Sequence, residues 1–289
     1  MTGQVTMSGD VASASVPAAG RDRALPGLWR ASAVRSVVEL KSFFRNRQSV
    51  FFTLLLPVLL LVVLGAIFPQ DVAGTRVSFR LVLISGIIGA GIMSVGFSGL
   101  AINLSIERDN GTLRRLAAAP MPRSAYFVGK IVRVVVTAII ETAVLLVVAV
   151  LFFHLSLPHS ASRWLIFGWV LVLGTAACAL LGVAYSSFIP NSRSAAAIVT
   201  PPFLVLQFIS GVFLPFNQLP QWMRTLASFF PLKWMAQGMS SVFLPNSFTI
   251  VEPAHSWETG RTALILVAWI IAGAALSVLT FSWRGARVR

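Results

Sequence analysis

Six apolar runs dominate this 289-residue chain, at residues 50–68, 81–104, 131–153, 164–188, 195–213 and 262–283. Each has about the 20 residues that an α-helix needs to cross a bilayer. A backbone in hydrocarbon must satisfy its own N–H and C=O groups, so runs of this length become helices. The fold they dictate is an all-α integral membrane protein with six transmembrane helices. Composition agrees, with 56% hydrophobic residues and only 11% charged. That is too little charge to cover such a chain in water.

The formal net charge of +14 does not make this a nucleic-acid protein, because the basic residues lie between apolar runs rather than along a polar face. They set the orientation instead. With both termini in the cytoplasm, 17 of the 23 Lys and Arg residues fall on the inner side. Arg76, Arg80, Arg163, Arg224, Lys233 and Arg261 fall outside. The lone Cys178 sits inside an apolar run and supports neither a disulfide nor a zinc site.

Residues 1–27 are rich in Ala, Ser, Gly and Pro and read as a disordered cytoplasmic tail. From Leu28 to Arg47 the pattern turns amphipathic. Trp29, Ala33, Val37, Leu40 and Phe44 form one apolar stripe, opposite Arg35, Glu39, Ser42 and Asn46. This predicts a helix lying in the inner membrane surface.

The polar stretch 107–130, between the second and third spans, has punctuation of its own. Asn110-Gly111 is a turn pair, and Thr112 is placed to cap a short helix running to Ala118. Leu113 and Leu116 fall on one side of it as exposed leucines, with Arg114 and Arg115 beside them. Pro120 and Pro122 stop it, and Ser124 is placed to cap the next helix. A loop that only carried topogenic charge would need none of this.

The chain carries no ATP-binding loop of its own. Its only Gly-Lys pair, Gly129-Lys130, is followed by Ile131, and Ser124 stands where the first glycine of the G-x-x-x-x-G-K-[ST] pattern belongs.

Within the second span Gly86, Ala90, Ser94 and Ser98 recur every four residues. Such a face suits close helix packing or a moving, pore-lining wall. Gly96-Phe97-Ser98-Gly99 also matches a pattern of intramembrane serine proteases, but His154, His159 and His255 all fall at or beyond outer ends of spans. Glu141 lies inside the third span, where a carboxylate is costly unless paired. It reads equally as a polar wall of a transport path or as a hydrogen-bond partner of a neighbouring helix. Between the fifth and sixth spans, 221–229 and 233–243 are two short amphipathic candidates that dip into the outer leaflet and return, punctuated by Pro215, Pro220 and Pro231.

Two motifs then carry a resemblance. One is Glu107-Arg108-Asp109-Asn110-Gly111-Thr112-Leu113-Arg114-Arg115-Leu116 with Pro120 and Pro122; the other is Phe208, Gly211, Pro215, Leu219-Pro220 and Pro231. In this order, within six spans, the chain resembles the type-2 ABC exporter permeases of the daunorubicin-resistance and polysaccharide-export kind, over residues 28–283. Glu141 departs from the milder polar residue expected there.

The resemblance implies a single transmembrane domain over residues 28–289, in a bacterial cytoplasmic membrane. Its connecting helix would carry Trp29, Val37, Leu40 and Phe44. Its coupling helix, Thr112–Ala118, would rest on a separate ATP-binding subunit through Glu107, Arg108, Thr112, Leu113, Arg114, Arg115 and Leu116. The path would run along the second and fifth spans past Gly86, Ala90, Ser94, Ser98, Glu141 and Phe208. Gly211, Pro215, Pro220, Trp222 and Pro231 would form an outer gate of re-entrant helices. Two permease chains, identical or paired with a relative, would sit over two ATP-binding subunits that hold the ATP and Mg; this chain would bind no cofactor or metal. The cargo would be an amphiphilic drug, lipid or glycolipid-like molecule. A stand-alone carrier or channel, and an intramembrane hydrolase centred on Ser98, are the competing readings.

Overall fold

A computed structural model describes residues 27–68, 71–72, 74–118 and 122–280. The tail expected over 1–27 lies outside them except for Gly27, as do Pro120 and the last three residues of the sixth run. The described residues form eleven α-helices and no strand. They are α1 Leu28–Arg45, α2 Arg47–Ile67, α3 Phe79–Met93, α4 Leu100–Asp109, α5 Thr112–Ala118, α6 Arg123–Phe153, α7 Ala161–Ser186, α8 Ser192–Ile209, α9 Gln221–Ser228, α10 Pro231–Phe243 and α11 Thr259–Thr280. Six stretches are long and apolar enough to cross a membrane: α2, α3 with α4, α6, α7, α8 and α11.

The second span differs from a plain helix. It runs unbroken from Phe79 to Asp109, but Ser94–Gly99 winds as a π-helix. A π turn inserts one residue into the helical ladder and shifts every face beyond it. So Gly86, Ala90, Ser94 and Ser98 do not form one continuous stripe. Gly86 packs on the Val212 backbone, and Ala90 is buried. Ser94 and Ser98 are half-buried.

The π turn is pressed against α7. A Cβ on Gly182 would lie 2.7 Å from the Gly96 carbonyl oxygen and 2.8 Å from that of Phe97. Backbone cannot move aside as a side chain can. Gly182→Val is therefore expected to cost about 1–3 kcal/mol through overpacking and to lower the thermal midpoint of the purified protein. An unchanged midpoint would show that the two helices do not hold this spacing.

The chain alternates between two ends. The α1–α2 corner, α5 and the α7–α8 loop share one end. The α2–α3, α6–α7 and α8–α11 connections share the other, where Arg80 Nε donates to the Gly65 carbonyl at 2.8 Å and sits over Phe153.

α10 is the second of the two short helices between the fifth and sixth spans. All thirteen of its residues are buried, against α3, α7 and α11. Its first half lies deep, where Met235 meets Gly174 and Cys178. Its last turn returns to the bundle end, where Arg163 donates to the Val242 and Leu244 carbonyls. The α9–α10 corner lies halfway along α11, where Trp269 Nε1 donates to the Phe229 carbonyl at 2.6 Å.

Candidate functional site

The α5 end is built around buried charge. α1 packs along α6, and Gly129 makes the approach possible, since a Cβ there would meet the Arg35 side chain at 2.7 Å. The face of α1 that enters the protein is its small and polar one, with Ala31, Ser32, Ser36 and Glu39 buried. Trp29, Val37 and Phe44 are exposed and Leu40 is half-buried. The expected stripe therefore exists and faces outward, but Glu39 is not on a free polar face. An apolar exterior and a polar, paired interior is what a membrane setting favours.

Lys130 of α6 is the hub. It is 1% exposed. Its Nζ donates to Glu39 Oε2 at 2.8 Å, to Asn103 Oδ1 at 2.9 Å, and to Glu107 Oε1. An ammonium has three donors, and all three are used. Tyr126 OH donates to the other oxygen of Glu107 at 2.7 Å. Arg35 pairs with the other oxygen of Glu39, and Arg133 Nη1 lies 3.9 Å from Oε2, the oxygen that Lys130 holds. One lysine thus joins α1, α4 and α6.

The end of α4 is tied to the α7–α8 loop as well. Arg108 donates to the Ser186 and Ile189 carbonyls. That places a cation on the C-terminal end of α7, where the helix dipole favours it. Asp109 accepts from the Ser192 N–H at the N-terminal end of α8, the opposite and equally favourable arrangement.

α5 hangs from this frame by the Gly111 turn, whose φ of +69° suits glycine. Leu113 is not exposed, which corrects the sequence expectation. It is 2% exposed and packs with Leu100, Leu104, Tyr126, Val134 and Val183, while Leu116 packs against the same cluster half-buried. The two leucines are anchors. Thr112 is half-buried, and Arg114 and Arg115 are exposed. Ser124 lies inside α6, whose N-cap is Pro122.

The remaining candidates do not meet in one chamber. Phe208 faces outward from α8 at 54% exposure. Glu141 is sealed against α3, where a Cβ on Gly91 would touch its Oε1 at 2.6 Å. Neither carboxyl oxygen has a hydrogen-bond partner among the described residues. Removing an unpartnered polar group while keeping its bulk is near neutral or stabilising. Glu141→Leu is therefore expected to hold or raise the thermal midpoint. A fall of several degrees would reveal a partner.

Ser98 lies about 28 Å along the second span from Phe79, at 1.5 Å per residue. His154, His159 and His255 all lie at the Phe79 end. The geometry offers Ser98 no histidine base.

Gly211, Pro215, Pro220 and Pro231 shape the turns of the α8–α10 stretch. Gly211 has φ +81°, Pro215 and Pro220 precede the turn Phe216–Gln218 and α9, and Pro231 opens α10. Trp222 stands exposed on α9.

The family model of ABC-2 type transporters matches residues 35–244. The chain belongs to the ABC-2 type transporter family. It is similar to a transport permease, ycf38, of Porphyra purpurea, at 26% identity over 248 residues, covering 82% of this chain and 79% of that one. It is also similar to the transport permease YvfS of Bacillus subtilis (strain 168), at 21% identity over 241 residues, covering 82% and 91%. The chain is a multi-pass membrane permease, and its role is transport rather than catalysis. The family implies partnership with an ABC ATPase.

Proposed function

We propose that this permease is the membrane-spanning subunit of an ATP-driven exporter of amphiphilic molecules. It would pair with a second permease chain over two ATP-binding subunits. The α5 end would face the cytoplasm, as the basic residues favour.

The observation that carries this reading is the way α5 is mounted. A short helix exposes two arginines and anchors two leucines. Its frame is the Glu39–Lys130–Glu107 cluster, which grips α1, α4 and α6 at once. A push on α5 would reach three helices through groups that cannot slip independently. Two packings of the same spans, switched by ATP in the partner, would then give inward- and outward-open states. The α9–α10 corner would serve as a re-entrant gate on the outer side, moving with α11.

Charge reversal of the exposed face separates coupling from folding. Arg114→Glu with Arg115→Glu is expected to cut ATP-dependent export at least about tenfold, the loss of a few charge-assisted contacts, with the thermal midpoint unchanged. Full export by that variant would remove α5 from the mechanism.

A further inference from the structure

At the end opposite α5, beside the α9–α10 corner, lies a cavity of about 350 Å³. Sites for small molecules occupy about 300–1,000 Å³. Arg224 of α9, Lys233 of α10, Arg261 of α11 and Glu258 line it. Three cations thus face Glu258, with Glu252 near Lys233 as a second carboxylate.

The pairing inside is incomplete. Lys233 is 5% exposed. Its Nζ donates to the neutral Gln237 amide at 2.6 Å and stands 4.0 Å from Glu258. Burial pulls this ammonium down, against Glu258 and Glu252, which hold it up. Arg261 takes the other oxygen of Glu258 at 2.9 Å. One carboxylate is therefore shared by two cations. Arg224 Nε is buried and meets no acceptor among the described residues. Lys233 is the buried cation of the group, and a buried cation short of counter-charge is costly unless an anion completes it.

Two further features read as a built site. Glu258 holds φ +43°, a left-handed conformation that is strained for a glutamate. Such strain persists where the surroundings impose it, and it clusters at binding sites. The indole of Trp234 lies under both cations, 3.6 Å from Lys233 Nζ and 5.3 Å from Arg261 Cζ. The ring is fixed by its own N–H, which donates to the Ser228 carbonyl at 2.8 Å.

The ligand class follows from charge. A cationic group would add to a positive surplus, and a neutral sugar would leave Arg224 unpaired. An anion with several acceptor oxygens suits Arg224, Lys233 and Arg261 together. α9, which supplies Arg224, also exposes Trp222 and Leu226 on another of its faces, an apolar surface on the same helix for a hydrocarbon tail.

We propose that this cavity binds the phosphate of an acidic amphiphile, with Arg224, Lys233 and Arg261 as its ligands and Trp234 as its floor. The proposal deepens the export reading, and it rests on that reading for the amphiphilic character of the ligand.

The test needs no ATP-binding partner. The purified permease in mild detergent is incubated with phosphatidylglycerol or phosphatidylcholine, and retained lipid is measured by native mass spectrometry. The wild type is expected to retain phosphatidylglycerol at least about tenfold over phosphatidylcholine, one charge-assisted contact or more. Arg224→Gln, at a half-buried position, and Arg261→Gln, at an exposed one, should each remove most of that preference. Displacement by millimolar inorganic phosphate would identify a site that reads the free anion. Retention against phosphate would identify one that needs the whole headgroup and tail. Equal retention of both lipids, or a preference unchanged in both variants, would overturn the proposal. A failure of ATP coupling leaves this assay untouched, so the two readings fail separately.

Discussion

Replacing Lys130 with methionine is expected to cost about 3–5 kcal/mol, the usual loss when one partner of a buried ion pair is removed. The methionine fills the space of the lysine stem, so packing is nearly kept. What is lost is the cation that bridges Glu39 and Glu107. Glu39, 3% exposed, retains Arg35 and a distant Arg133, while Glu107 retains the Tyr126 hydroxyl. Two carboxylates would then face each other across a site with little water. Heating the solubilised protein and following the soluble, monodisperse fraction measures the loss. The triple variant Glu39→Gln, Lys130→Met, Glu107→Gln removes the uncompensated charges together and should recover most of the stability. If Lys130→Met alone behaves like the wild type, the cluster is not what joins the three helices.

The second large effect falls on Leu113. Leu113→Asp places a carboxylate among Leu104, Tyr126 and Val183. It loses the transfer energy of a buried leucine, about 2–5 kcal/mol when the side chain is removed, and adds the cost of burying a charge without a partner. α5 should detach from the frame and the protein should lose stability whether or not an ATP-binding partner is present. Leu116→Asp, half-buried, should do less. A Leu113→Asp protein that keeps its thermal midpoint but loses ATPase stimulation would mean that Leu113 faces the partner.

These two residues also show where the sequence was legible. The six spans could be read because apolar length alone decides them. The α5 punctuation could be read because Gly111 stands where a turn needs positive φ. Which way a seven-residue helix turns its leucines could not be read, because two apolar positions on one side suit an anchor and a docking face equally. Lys130 and Glu39 are 91 residues apart, and no local pattern joins them. One signal was available: Glu39 is the only acidic residue between Leu28 and Arg47, and a lone carboxylate entering a membrane asks for a partner. The helical spacing of Lys233, Gln237 and Ser240 was legible in α10, but not that this polar face lines a cavity inside the protein. The π-helix at Ser94–Gly99 left no pattern to read; what marks it is a close backbone approach to Gly182, 83 or more residues away in sequence.

The central claim is that ATP hydrolysed elsewhere moves this chain through α5. Affinity purification of the tagged permease from its own membranes in mild detergent tests it most directly, with partner masses and ATPase rate recorded. The account predicts an ATP-binding protein in equal amount, with its ATPase rate changed by Arg114→Glu and Arg115→Glu. A permease that purifies without such a protein, yet moves solute in liposomes, would contradict it.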